Sequence, residues 1–174
     1  MKRSTALSLL ALICLPLMAH AEKISLALGE FEISDDLVIL DRKEEADEKS
    51  GKSEGLIVFS KKGDEGRAVF IVSYLADDPS LPPLDPLDGA VKIGNPFDSS
   101  LTSKDARSVT VGGAAGGSYS GILHTGLSAT SYVVAHNGYR LIVLLKGPNT
   151  KPYQKLMKEF SQALEKFVWK TTPA

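Results

Sequence analysis

Apolar positions alternate along much of this chain, and where the alternation stops it gives way to a single stretch of helical spacing. From Ile24 to Leu28 every second residue is apolar, and Phe31 and Ile33 keep the same period of two. That spacing predicts a half-buried strand region. Leu37 to Leu40 is a second apolar run. Leu56 to Ser60 and Arg67 to Leu75 are rich in β-branched and aromatic residues, and between them lies Lys61-Lys62-Gly63-Asp64-Glu65-Gly66, which has the composition of a turn. The two runs are expected to form a hairpin. Ser108 to Val111, Gly117 to Thr125 and Ser128 to His136 read as further strands. Asn137-Gly138 then favours a type I′ turn into Tyr139 to Leu145, because both residues accept positive φ.

The period changes after Lys146-Gly147-Pro148. Asn149 or Thr150 can cap a helix from about Pro152 to Val168. Tyr153, Leu156, Met157, Phe160, Ala163, Leu164, Phe167 and Val168 fall on one face of it, and Gln154, Lys155, Lys158, Glu159, Gln162, Glu165 and Lys166 on the other. Such an amphipathic helix is expected to pack on the sheet. Two stretches carry neither period. Asp41 to Gly55 is dense in mixed charge, with Ala46 its one apolar residue, and reads as a solvated loop or a mobile segment. Asp77 to Asp98 contains Pro79, Pro82, Pro83, Pro86 and Pro96, whose fixed φ and missing N–H groups prevent regular structure. Ser99 to Ala106 has the pattern of a short helix.

The N-terminus gives the chain an address. Lys2 and Arg3, an apolar run from Ala6 to Leu17 and the small-residue site Ala19-His20-Ala21 have the order of a secretory signal, with cleavage expected after Ala21. The apolar run is too short for a membrane span of about 20 residues, and Pro16 interrupts it, so no stable membrane anchor is expected. Cys14, the single cysteine, lies inside that run and has the wrong neighbours for lipid attachment; cleavage removes it and leaves no thiol. Stability must then come from an apolar core and not from disulfides. Residues 22–174 are enough for one soluble domain that buries roughly 68% of its unfolded surface. The expected location is the periplasm, or beyond it by secretion. Without the signal the net charge moves from −1 to −3, which excludes the strongly basic character of a nucleic-acid binder.

Candidate chemistry is sparse. His124 and His136 remain after cleavage, and the strand assignments put them at opposite ends of a hairpin, more than about 30 Å apart at 3.3 Å per residue. Neither has a carboxylate at ligand spacing, so no metal site is expected; one of them serving as the base of a hydrolase is the enzymatic alternative. Gly112-Gly113-Ala114-Ala115-Gly116-Gly117-Ser118 lacks the Lys-Ser/Thr pair of a phosphate loop and the spacing of a dinucleotide fingerprint, and Gly117-Ser118-Tyr119-Ser120-Gly121 misses the nucleophile-elbow spacing. The glycine run reads as a flexible turn with close backbone approach at a strand end. No cofactor is implied. Asp77-Asp78, Asp85 and Asp88 match no calcium loop. Among the prolines, Leu81, Leu84, Leu87, Val91, Ile93 and Phe97 either pack back onto the domain or form an apolar contact surface for a protein partner.

Phe31-Glu32-Ile33-Ser34 with the apolar run after it, the Leu56 to Leu75 hairpin, and the glycine-rich strand pair before a C-terminal helix together resemble the PsbP and Mog-like fold group. That group includes the photosystem II extrinsic protein PsbP, a Ran-binding nuclear protein, the DcrB lipoproteins and chaperones of type VI secretion effectors. The resemblance implies an α+β fold, a curved antiparallel sheet with flanking helices, that binds another protein and does not turn over a substrate. The sequence departs from the DcrB pattern in having no usable lipid-attachment cysteine. The resulting expectation is a non-enzymatic envelope protein with a protein or peptide partner, acting as an accessory, chaperone-like or immunity-type factor. A small-molecule or lipid-binding module, with a cavity between helix and sheet, is the alternative.

Overall fold

The computed structural model describes residues 21–46, 52–77, 80 and 105–171. Residues 1–20 of the expected signal peptide, most of the proline-rich stretch and residues 99–104 of the expected short helix lie outside them. Ten strands and one helix are described, arranged as a three-stranded and a seven-stranded sheet, both antiparallel.

The Ile24 to Ile33 alternation forms a hairpin of β1 (Glu22–Ser25) and β2 (Gly29–Ile33), with Ile24 opposite Phe31 and both buried. β3 (Leu37–Ala46) pairs with β4 (Ser53–Lys61), and β4 with β5 (Val69–Ala76) in the expected hairpin. β6 (Asp105–Val111), β7 (Ala114–Ile122), β8 (Leu127–His136) and β9 (Tyr139–Pro148) follow as a meander. The order across the large sheet is β3-β4-β5-β9-β8-β7-β6, so the chain leaves the middle of the sheet after β5 and re-enters at its edge. Asn137 and Gly138 hold φ of 50° and 72°, and His136 faces Tyr139 across them, as a type I′ turn requires.

Four expectations are corrected. Asp41–Ala46 and Ser53–Gly55, read as loop, extend β3 and β4 instead. Backbone pairing needs no apolar side chains, and β3 is an edge strand, where charges on both faces are tolerated and discourage further pairing. Asp105 and Ala106 belong to β6, not to a helix, because β7 offers them a ladder at Ser120 and Tyr119. The glycine run supplies only a two-residue turn, Gly112-Gly113, with φ of 54° and 80°; β7 starts at Ala114 and ends at Ile122, three residues before Thr125. Gly116 is needed inside that strand because a Cβ there would collide with Val134. Finally, α1 (Lys151–Glu165) stops short of Val168, and Val168–Trp169 forms β10 against β2.

The end of α1 has a local cause. Lys166 donates its N–H back to the Ala163 carbonyl and Phe167 its N–H to the Leu164 carbonyl, which also accepts the N–H of Gly112. Helix and hairpin thereby share one terminus. Thr150 occupies the N-cap position without a side-chain cap bond, and Pro152 follows in the first turn, where its missing N–H costs nothing.

Tyr153, Leu156, Met157, Phe160 and Leu164 of α1 are buried. Phe160 lies at the centre, its ring 5.8 Å from that of Phe31, 5.7 Å from Phe59 and 5.3 Å from Phe70, each in an edge-on arrangement. It joins the small sheet to the large one. The same core takes Ile57, Val72, Leu141, Val143 and Leu145 from the large sheet. Val133, Leu144 and Tyr119 point to the opposite face and are buried too, so the centre of the large sheet is apolar on both sides.

Candidate functional site

A groove of about 420 Å³ runs between the β1–β2 hairpin and the C-terminal half of α1. Phe31, Ile33, Ala163 and Val168 give it an apolar floor, and Lys23, Glu30, Glu32, Glu159 and Lys166 place charges of both signs around it. Alternation along β2 produces this division: Phe31 and Ile33 turn into the core while Glu30 and Glu32 turn out. The helix contributes its less buried side, since Gln162 and Lys166 flank the small residue Ala163. Val168 is 59% exposed, the most open large apolar side chain among the described residues.

Part of the charge is already neutralised. Lys23 pairs with Glu30 at 2.7 Å and Lys155 with Glu159 at 3.5 Å. The carboxylate of Glu32 has no ion-pair partner among the described residues. An apolar floor with a mixed-charge rim suits a peptide or protein surface.

Two shallower depressions are present. One, of about 260 Å³, collects Ser120, Ser128, Thr130, Gln154 and Met157 beside the start of α1. Its polar groups are satisfied internally: Ser120 and Thr130 share a hydrogen bond of 3.1 Å, and Gln154 donates to Ser128 at 2.9 Å. The other, of about 360 Å³, lies over β3, β4 and β5 beside Tyr74.

Tyr74 has its hydroxyl pKa raised by burial and by the nearby Glu44 carboxylate. Burial also raises those of Tyr132 and Tyr153, the latter further through its bond to Asp64. Each of these phenols is held neutral, which suits packing.

The residues singled out by sequence are dispersed. His124 is exposed at the β7–β8 turn, and His136 lies at the other end of β8 with its ring 4.9 Å from that of Trp169. Neither lines any of the three depressions. Among the described residues no group of three or more His, Cys, Asp or Glu side chains is placed to hold a metal ion. Asp77 is bound to Arg140 at 2.8 Å. Asp78, Asp85 and Asp88 lie outside the described residues, as do Leu81, Leu84, Leu87, Val91, Ile93 and Phe97. The space between α1 and the large sheet, where a ligand cavity was the alternative, is occupied by Phe59, Phe70 and Phe160. Sequence reading missed the groove because its two walls lie about 130 residues apart in the chain. The exposed Glu-x-Glu on a strand, Glu30-Phe31-Glu32, was its one visible trace.

No helix among the described residues is long and apolar enough to cross a membrane. No protein-family model matches the sequence, and no curated protein matches it. Solved structures do. A protein of unknown function from Pseudomonas aeruginosa aligns over 88% of this chain and 99% of its own, at 16% identity and a TM-score of 0.46. The solution structure of cyanobacterial PsbP from Synechocystis aligns over 90% of this chain and 97% of its own, at 13% identity and a TM-score of 0.56. Identity that low speaks to architecture alone. Two antiparallel sheets joined through a C-terminal helix, in an alignment that spans nearly the whole of both chains, give this protein the PsbP-like fold.

Proposed function

We infer that this chain is an exported, non-enzymatic accessory protein of the periplasm that binds a protein or peptide partner in the groove between the β1–β2 hairpin and α1. The observation that carries the reading is the groove itself, with its apolar floor of Phe31, Ile33 and Ala163 beneath charges of both signs. Three features support it. The N-terminal pattern is that of an export signal, and cleavage after Ala21 leaves Glu22, the first residue of β1, as the new terminus. The fold is PsbP-like, an architecture that the named neighbour uses as cyanobacterial PsbP. The two histidines of the exported chain are separated by the length of β8. The apolar residues Leu81 to Phe97 are offered as a second contact region for the same partner.

The experiment is capture from periplasmic extract with the wild-type protein, with Ala163→Trp, which fills the groove from its helix wall, and with a deletion of residues 81–97. The expected result is a partner retained by wild type and lost, by about 10-fold or more, with Ala163→Trp. Equal retention by wild type and Ala163→Trp overturns the groove as the contact site. Recovery of the protein from the cytoplasmic fraction with its first 21 residues intact overturns the export reading.

A further inference from the structure

The edge of β2 that faces away from β1 is only partly occupied. Lys170 N–H donates to the Leu28 carbonyl at 2.9 Å, and Val168 stands opposite Glu30. The backbone groups of Leu28 and Glu30 therefore point toward β10. On the other side, Leu26 N–H donates to the Gly29 carbonyl at 2.7 Å, with Ile24 opposite Phe31 and Glu22 opposite Ile33. The groups of Gly29, Phe31 and Ile33 point toward β1. Because alternate residues of a strand present N–H and C=O to alternate sides, those of Glu32 must point toward β10.

Lys166 is the residue that continued pairing would set opposite Glu32. It is not free to pair, because it closes α1 and its N–H bonds back to Ala163 at 3.2 Å. The ladder between β10 and β2 thus stops at Val168 and Glu30, with Phe167 packed beside Phe31 and Lys166 held in the helix terminus. Among the described residues no strand faces the Glu32 backbone on that side, and Glu32 is solvent-exposed within the groove.

We propose that this open edge is a strand-addition site, at which an extended peptide segment of a partner continues the line of β10 and exchanges backbone hydrogen bonds with Glu32. The proposal rests on the reading of the groove as a protein or peptide site and says how the segment is held. It also fixes the chemistry of the occupant. The side chain directly opposite Glu32 stands beside a carboxylate that has no ion-pair partner among the described residues, while Glu30 is matched by Lys23. A Lys or Arg at that position supplies the missing charge. Its neighbour on the far side turns toward Ile33 and Ala163 and is small and apolar, the place opposite Phe31 being held by Phe167.

The test uses amide exchange by NMR with three capped synthetic pentapeptides: alternating Val and Lys, alternating Val and Glu, and the Val-Lys peptide with alternate amides N-methylated. In the free protein the Glu32 amide is expected to exchange about 100-fold faster than those of Phe31 and Ile33. Saturating Val-Lys peptide slows it by about 10-fold, while the N-methylated and Val-Glu peptides leave it unchanged. Glu32→Pro removes the outward-facing N–H together with the carboxylate, and Glu32→Gln the charge alone, so for both Tm moves by less than about 4 °C, while binding of the Val-Lys peptide is lost with Glu32→Pro and only weakened with Glu32→Gln. A Glu32 amide as protected as Phe31 in the free protein, unfolding of Glu32→Pro, or unchanged exchange with the Val-Lys peptide each overturns strand addition. If capture of the extract partner still depends on Ala163 while exchange at Glu32 does not respond, strand addition fails and the groove reading stands.

Discussion

The two sheets obey the same alternation of side chains but are held by different means. The large sheet is a set of long antiparallel ladders, ten pairs between β8 and β9 and eight between β5 and β9, mostly between chain neighbours joined by short turns. The small sheet has strands of four, five and two residues, and its third strand arrives from the far end of the chain. Ladders that short cannot sustain a sheet alone. Side-chain anchors supplement them: Phe167 packs on Phe31 and Trp169, Trp169 donates its indole N–H to the Val111 carbonyl at 2.9 Å, and Arg42 donates to the Ser25 carbonyl at 2.7 Å. The proposed site lies on the sheet whose pairing is incomplete, where an edge remains to be used.

If Phe160 is the joint between the sheets, its loss should be the most damaging single change. Phe160→Ala is expected to cost about 3–5 kcal/mol in denaturant unfolding, with contacts to Phe31, Phe59 and Phe70 lost together. A cost below about 1 kcal/mol would mean that the sheets cohere without it.

The next contrast sets two turn glycines against each other. Gly112 and Gly126 both hold positive φ, but a Cβ at Gly112 would meet the Phe167 carbonyl, whereas nothing lies within 4 Å of one at Gly126. Gly126→Ala should cost about 1 kcal/mol of backbone strain, and Gly112→Ala about 2–3 kcal/mol as the small sheet is pushed from the β6–β7 turn. Equal costs would show that Gly112 matters only for its φ.

A smaller effect isolates one anchor. Trp169→Phe removes the bond to Val111 and should cost about 1 kcal/mol, with amide exchange accelerating in β1 and β2 but not in β5 and β9. Uniform acceleration would indicate that the two sheets open as one unit.

The weakest expected effect is a pH dependence. Tyr74 has its folded-state pKa raised, so the folded form holds its proton more tightly than the unfolded chain. That contribution is complete below the ordinary tyrosine value of about 10 and declines as pH rises above it. Tyr74→Phe should flatten the loss of stability above about pH 10 in alkaline denaturation, and an unchanged profile would remove Tyr74 as its source.

How far each feature could be read from sequence follows from how local its cause is. The β8–β9 hairpin was legible because Asn137-Gly138 carries its own turn geometry, and the β4–β5 hairpin because two apolar runs flank a turn. The buried face of α1 was legible from Tyr153 to Leu164 for the same reason, a period within one segment. Phe167 and Val168 continue that period, yet the helix ends before them, since pairing with β2 and the bond from Gly112 to Leu164 act from more than 50 residues away. Asp41 to Ala46 misled in the opposite sense: a charged edge strand is specified by its partner's backbone and leaves no apolar trace.

By itself the sequence determined the alternation that makes strands, the turns that join neighbours, and the face that α1 buries. Tertiary structure alone decided that a strand from the C-terminus would pair with one near the N-terminus, that the pairing would stop at Glu30, and that Glu32 would face an open groove. The division has one physical reason. Side-chain periodicity and turn chemistry act between residues a few positions apart, whereas a strand edge is completed or left open by whatever distant segment packs beside it.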